Sequence, residues 1–398
     1  MSQHQLPDIY KEAARRAISL NMPFALFAAA GEEYRFFASE PDDAASNLIS
    51  DKFPEKEAFF AQSFCTSMHD AVVIPCDLTA EEVLALPLSA EKWPSAELNA
   101  VPASTTYPVY YGQVREIKKC MSPKGLRKVV LSRRIACSTD LDPVELADRY
   151  FDVLPATFRA LYFSQETGLW ITATPELLIH ASASAADEDV VPHFETMSLA
   201  GTRVKDSADE WDEKNCAEHQ AVLDFICNVL RDAGLEPEIG NRHEVTFGEV
   251  EHICHLISAE GHANVFELLD KLSPTPALAG LPRNMAVKTI SRLEIHHRQC
   301  YGGLVGTISN SDIKAYVNIR SALLSPDRGP GGSMEVNIFA GGGIMPDSLA
   351  SNEWREAARK AMPLYRIINS VTPDDITLIP DEWARIDRRN EPTVANEC

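Results

Sequence analysis

The stretch that most constrains this 398-residue chain runs from Val336 to Lys360. An alternating strand pattern, Val336 to Phe339, meets three successive glycines, Gly341, Gly342 and Gly343, and a helical pattern follows. A glycine run lets backbone N–H groups approach a ligand closely, and a helix start offers further free N–H groups to an anion. Glu353, Glu356 and Lys360 then fall at i, i+3 and i+7, and at about 100° per residue they share one side of the helix. Ala357, Leu364 and Ile368 belong to that side too, while Arg355, Arg359 and Arg366 point the other way. Two carboxylates and an ammonium thus sit on or beside a buried stripe, where charge is costly unless paired or bound to metal. A plain Glu356–Lys360 pair at a helix edge satisfies the same spacing.

With 45% apolar and 24% charged residues, the composition is that of a soluble globular protein. The length suggests two or three domains or one large core. A formal net charge of −21 argues against a nucleic-acid or anionic-membrane partner, which needs a basic footprint. An anionic ligand therefore requires a local positive pocket. The nine cysteines are scattered, odd in number and without a CxxC pair, so reduced thiols are expected rather than disulfides or a zinc cluster. Met1 to Arg16 is polar, and no apolar run approaches the roughly 18 residues of a membrane span. A cytoplasmic protein is expected.

In chain order, residues 1–22 read as a helix, and Pro23 to Ser39 as two strands around a Gly31-Glu32-Glu33 turn. Residues 40–110 are the least legible, and surface helices and loops are expected there. Lys128 to Arg133 reads as a strand with Lys128, Val130 and Ser132 on one face, and on the strand pattern alone Lys128 reads as a solvated strand end beside Arg127. A helix follows from Asp142 to about Phe151, with Pro143 in its first turn. Ala160–Phe163 and Leu169–Ala173 suggest a hairpin. Its second strand runs into Glu176, oddly placed for an acid between a proline and an apolar run. Residues 182–190 read as a surface loop.

Asp212 to about Asp232 is strongly helical, and Glu218 projects near the middle of its apolar stripe. There it must be paired, protonated or on a cation, unless the helix end lies in water. His252 to Ser258 is a further strand, followed by helices over 262–272 and from Ala286 to Leu293. Gly303–Ser309, Lys314–Leu324 and Met334–Ala340 suggest a three-stranded antiparallel meander, with a turn over Pro326–Gly332. A peripheral tail is expected from Val371.

These motifs together resemble the chorismate-utilising enzymes, and among them the isochorismate synthases. The resemblance spans roughly Lys128 to Ile368. It rests on K-V-V-L-S-R (128–133), A-T-P-E-L-L (173–178), L-A-G-T (199–202), D-E-K-N-x-x-E-H (212–219), P-T-P-A-L-A-G-L-P-R (274–283), Y-G-G-L-V-G (301–306), N-I-R-S-A-L (318–323) and F-A-G-G-G-I with E-W-R-E (339–356). Each is weak alone, but eight in this order are specific. One departure is Ala217, where siderophore-type members often carry histidine.

The resemblance implies one α+β domain of two large antiparallel sheets packed together with helices outside. Residues 1–110 would form a variable N-terminal part, 111–370 the catalytic core and 371–398 the tail. It implies Mg²⁺-dependent conversion of chorismate to isochorismate, with Lys128 the base that activates water and Glu176 the acid that protonates the departing C4 hydroxyl. A lysine base needs a lowered pKa and a carboxylic acid donor a raised one, and burial drives both that way. The resemblance puts Mg²⁺ on Glu218 and Glu356, with Glu353 and Glu213 nearby. Arg320, Lys360 and the Gly341–Gly343 backbone match positions that grip the substrate carboxylates. Gly201 and Thr202 would lie near the C4 hydroxyl and His255 near the ring, with Ala277, Leu278, Tyr301 and Ile319 on the pocket wall.

Sister enzymes that attach ammonia lack the lysine at position 128, and the aminodeoxychorismate type carries a lysine where Ala200 stands. The resemblance therefore favours water and no glutaminase subunit; a monomer is expected. A salicylate synthase, which also eliminates pyruvate, and a non-catalytic chorismate-binding protein are the other readings.

Overall fold

The computed structural model describes residues 5–40, 54–87, 104–122, 125–182, 191–208, 210–325, 333–368 and 374–380. The first strands are β1 (Phe24–Ala28), β2 (Arg35–Ala38), β3 (Ala58–Gln62), β4 (Val72–Pro75), β5 (Lys128–Thr139) and β6 (Phe158–Ser164). Then come β7 (Gly168–Thr174), β8 (Leu177–Ser182), β9 (His193–Val204), β10 (Glu238–Ile239), β11 (His243–Phe247) and β12 (Val250–Glu260). The last are β13 (Gly280–Leu281), β14 (Leu304–Ile308), β15 (Asp312–Val317), β16 (Ser321–Ser325) and β17 (Met334–Ile344). The helices are α1 (Asp8–Ser19), α2 (Ala80–Ala85), α3 (Tyr107–Cys120), α4 (Pro143–Val153) and α5 (Glu213–Asp232). They continue with α6 (Val265–Leu272), α7 (Arg283–Leu293), α8 (Ala350–Ile368) and α9 (Asp374–Thr377).

Local chemistry explains most of these elements. Asp142 caps α4 by accepting from Val144 N and Glu145 N, with Pro143 where no N–H is needed. Asp212 caps α5 by accepting from Asn215 N. Each helix then turns a stripe onto a sheet. α5 and α6 cover one sheet with Val222, Ile226, Leu230, Phe266 and Leu269. α1, α4 and α8 cover the other with Ala13, Ala17, Ala147, Phe151, Ala357 and Ala361.

The strands make two antiparallel sheets, an eight-stranded one in the order β13-β5-β17-β16-β7-β6-β1-β2 and a nine-stranded one in the order β10-β12-β9-β8-β15-β14-β3-β4 with β11 on β12. Phe27, Phe59, Tyr162, Trp170 and Phe339 from both sheets, with Tyr301 from the turn before β14, form the layer between them. Burying a side chain of this kind is worth about 1.5–3 kcal/mol, so this layer holds the sheets face to face. The α+β architecture with helices outside is therefore present.

Four local expectations change. Residues 58–75 contribute β3 and β4, which are buried sheet strands rather than surface segments. Such short apolar runs, A-F-F-A-Q and V-V-I-P, carry no period that separates strand from helix. The strand expected to end at Ala340 runs on through glycines 341–343 to Ile344 and pairs with β5, Gly341 opposite Ser132 and Gly343 opposite Val130. The run Lys314–Leu324 is two strands in different sheets, so the three segments are not one meander. The described part of the tail is not wholly peripheral: Ile376 and Ile379 are buried, and Arg133 Nη2 donates to Ile376 O over 2.6 Å. Of the expected loop over 182–190, Ser182 is instead the last residue of β8, and 183–190, like the turn at 326–332, lie outside the described residues.

Two places where the chain passes from one sheet to the other decide where the site lies. β7 ends in the first sheet and β8 begins in the second, across Pro175 and Glu176; β15 ends in the second and β16 begins in the first, across Asn318, Ile319 and Arg320. The crossings run side by side. Val317 N donates to Glu176 O over 2.9 Å. Thr174 Oγ1 donates to Val317 O over 2.6 Å, and Thr172 Oγ1 to Ile319 O over 3.0 Å. Arg320 has φ 54°, in the left-handed region, and Tyr150 Oη donates to its carbonyl over 2.8 Å. A non-glycine residue held there is strained locally and is worth inspecting for function.

Candidate active site

At this double crossing the two sheets leave a cavity, partly open to solvent. Glu176, Gly201, Thr202, Glu218, Ala277, Leu278, Tyr301, Ile319, Arg320, Gly341 and Lys360 all line it. Six or more separate chain segments thus bring together most of the residues singled out from sequence. Apolar walls with a few convergent polar groups are what small-ligand sites share.

Glu176 is 4% exposed, and burial pushes its carboxyl up to about 8, against the opposing pull of Lys128 and Lys360. It is therefore a protonated acid at neutral pH. Lys128 is no solvated strand end: it is 2% exposed, and its Nζ lies 2.6 Å from Glu218 Oε1. Burial alone would raise the Glu218 pKa, but Lys128, with Lys214 and Lys360, holds it below the usual value. The helical projection of Glu218 onto the apolar stripe is thus resolved by ion pairing with a strand lysine.

Past Ile338, β17 has no further partner on its β16 side. Lys360 Nζ uses that edge, donating to Gly341 O over 3.0 Å and to Glu356 Oε1 over 2.7 Å. The expected i, i+4 pair exists, and it sits at the pocket wall. Arg320 Nη1 donates to Lys360 O over 3.0 Å, and Arg320 makes no ion pair with a carboxylate among the described residues. A 7%-exposed guanidinium without a counter-ion, facing a cavity, calls for an anion from the ligand.

Gly342 and Gly343 matter for what lies over them. A Cβ at 343 would stand 2.8 Å from Glu218 Oε1 and 2.9 Å from Lys128 Cε, and one at 342 would stand 3.1 Å from Glu353 Oε2. Glu356 Oε1 would be 3.6 Å from the latter. Three carboxylates therefore crowd one glycine-lined cradle. Glu353 is 1% exposed; its Oε1 accepts from Lys214 Nζ (2.6 Å) and Ser348 Oγ (2.8 Å), while its Oε2 is buried without a partner. Burial and the neighbouring Glu356 push its pKa up to about 7. Among the described residues no three acidic, histidine or cysteine side chains converge on one point, because each of these carboxylates is turned to a lysine. The orphaned Oε2 and the all-carboxylate donor set nonetheless suit a hard, oxygen-seeking divalent cation.

Two expected residues stand apart. Glu213 is exposed in the first turn of α5; five residues before Glu218, it lies roughly 140° round the helix from it. His255 is not on the cavity wall; its Nδ1 is 2.7 Å from His219 Nε2. The wall carries His252 instead. A β-bulge between His252 and Ile253 sets the register of β12 on β9, and alternation alone cannot locate a bulge. Lys214 was also missed, although its i, i+4 spacing to Glu218 placed it on the same helix side.

The fold and site define a small-ligand pocket in which a buried acid faces cationic side chains suited to an anion. A family model for chorismate binding enzymes matches residues 61–369, and the chain belongs to that family. Isochorismate synthase EntC of Escherichia coli (strain K12) is 27% identical over 287 residues, covering 68% of this chain and 69% of that protein. Anthranilate synthase component 1 of Arthrobacter globiformis is 26% identical over 299 residues, covering 68% of this chain and 53% of that protein. The fold is similar to that of MenF, the menaquinone-specific isochorismate synthase from Escherichia coli, with a TM-score of 0.67, 18% identity and 92% of each chain covered. No helix among the described residues is long and apolar enough to cross a membrane, and the eight described cysteines are free.

Proposed function

We propose that this chain is an isochorismate synthase that isomerises chorismate to isochorismate with Mg²⁺. The observation that carries the reading is the cavity wall itself, where a buried Glu176 carboxyl, raised to about 8, shares the pocket with the unpaired guanidinium of Arg320. A proton donor and a carboxylate receptor are what the reaction needs at opposite ends of one ring. Arg320 and Lys360 hold the substrate's carboxylates, and Leu278, Tyr301 and Ile319 hold its ring. Lys128 is the base for the water that attacks C2. The C2–O bond forms, the ring double bonds shift, and the C4–O bond breaks as Glu176 protonates the departing hydroxyl. One water enters and one leaves, so the net change is an isomerisation. Glu218, Glu353 and Glu356 would hold Mg²⁺, which when bound supplies positive charge for the ring carboxylate. Lys128 on the wall side of β5 and Ala200 in L-A-G-T support water over ammonia, as the sequence resemblance implies, with the product feeding siderophore or menaquinone synthesis.

The test is chromatography of the products formed from chorismate with and without Mg²⁺, in the absence of glutamine. Isochorismate, formed reversibly and only with the metal, is expected. Anthranilate formed with ammonium, and no isochorismate, overturns the reading; salicylate with pyruvate converts it to a synthase that goes one step further.

A further inference from the structure

His252 lies on the cavity wall, 7% exposed, and belongs to none of the roles above. Both its ring nitrogens are engaged. Nδ1 is 3.0 Å from Gly201 O and 3.3 Å from Thr202 Oγ1. Nε2 is 3.3 Å from Arg320 Nη2. A carbonyl oxygen only accepts and a guanidinium only donates, so one protonation state satisfies both ends: a neutral imidazole with its proton on Nδ1. Arg320 is then held at two points, by Lys360 O through Nη1 and by His252 through Nη2. Two anchors from different elements, α8 and β12, fix the plane of a group that otherwise has no carboxylate to orient it.

We propose that His252 is a positioning residue that, as a neutral imidazole, aims the Arg320 guanidinium at the substrate's carboxylate. This rests on the reading of the pocket as a chorismate site. The design also explains why the partner is a histidine rather than an aspartate or glutamate. A carboxylate there would neutralise Arg320 and compete with the ligand, whereas a neutral acceptor orients the cation and leaves its charge for the substrate. The charged groups acting on the ring are Arg320, from the crossing before β16, and Lys360, from α8; Glu176 and Glu218 line the same cavity. Burial and the two cations keep the imidazole neutral well below its ordinary titration range. If acid does protonate it, Nε2 becomes a donor facing a donor, and Arg320 loses its second anchor.

The experiment compares two variants on both KM and calorimetric affinity for chorismate, using the full chain with Mg²⁺. His252→Gln keeps an acceptor for Arg320 but cannot titrate; His252→Asn keeps a polar group near Gly201 but is too short to reach Arg320. His252→Asn should weaken chorismate binding about tenfold or more, as loss of a hydrogen bond to a charged group does, with a smaller fall in kcat. His252→Gln should recover most of that affinity, and its KM should stay flat at acid pH where the wild-type value rises. Equal affinities for the two variants, or a His252→Asn affinity within about twofold of wild type, overturns the proposal. Calorimetric affinity reads the aim of Arg320 whatever the product, so a failure of the isochorismate reading shows separately, as wild-type binding without isochorismate.

Discussion

At the scale of single residues, burial does the chemical work. Glu176 is the second of the two residues that have left one sheet and not yet joined the other, so it is enclosed without a strand neighbour to neutralise it. Its pKa of about 8, against 4.5 for a free side chain, has two consequences. The acid is spent above that value, so turnover should decline on the alkaline side through about pH 8, and Glu176→Gln should lose about 10²–10⁴-fold in kcat with chorismate affinity kept. The folded state also holds the proton more tightly than the unfolded chain does. Its stabilising contribution is therefore full below the unfolded value and lost as pH rises through the folded one. Urea midpoints measured on the acid and alkaline sides of this window should differ less in Glu176→Gln than in the wild type. Glu353, raised to about 7, makes a matching prediction for the metal. A carboxylate must shed its proton to ligate, so Mg²⁺ affinity measured by calorimetry should tighten as pH rises through that value. In Glu353→Gln binding should be weaker and the slope shallower.

At the scale of elements, the pairing of β17 with β5 is what carries the cradle. The three glycines are strand residues, and only the absence of side chains lets Glu218, Glu353 and Lys128 close over them. Gly343→Ala should therefore keep the fold and lose function. Its Cβ would press on Glu218 Oε1 at 2.8 Å and Lys128 Cε at 2.9 Å, both of which belong to the site. Overpacking of this kind costs about 1–3 kcal/mol, small beside the whole of a large core. The expected result is at least a tenfold fall in kcat/KM with a near-native circular dichroism spectrum and a modest drop in Tm. A variant with native kinetics would show that the cradle is not needed closed. The same pair of strands shows what was readable. K-V-V-L-S-R declared a strand by β-branched content, whereas G-G-G declared only closeness of backbone, and its strand pairing was invisible because glycine carries no periodic signal.

At the scale of the whole molecule, the two sheets are not separable bodies. The chain crosses between them at Glu176 and again at Arg320, and the crossings are bonded to each other through Val317, Thr172 and Thr174. The aromatic layer between the sheets draws on both, with Trp170 fully buried in it. Losing either sheet would expose that layer and dismantle the pocket together. Urea unfolding followed by tryptophan fluorescence and by far-UV circular dichroism should therefore give coincident transitions. A separate early transition by either probe would show that one sheet survives without the other.

The sequence by itself determined the elements and the inventory. The 3.6-residue period of α5 and α8, the aspartate caps of α4 and α5, and the β6–β7 hairpin were all local, because each depends on residues within a turn or two. Glu176, Glu218, Glu353, Glu356 and Lys360 were legible as charges in or beside apolar company, whereas Arg320 and the role of Lys128 came only from the order of motifs that carried the resemblance to chorismate-utilising enzymes. What only the tertiary structure decided was which of those charges meet. The split of Lys314–Leu324 between two sheets, the pairing of Lys128 with Glu218, and the choice of His252 over His255 each depend on contacts between segments far apart in sequence. A bulge or a change of sheet leaves the local pattern of apolar residues unaltered while reversing the side on which a side chain emerges, and no periodicity within one strand records it.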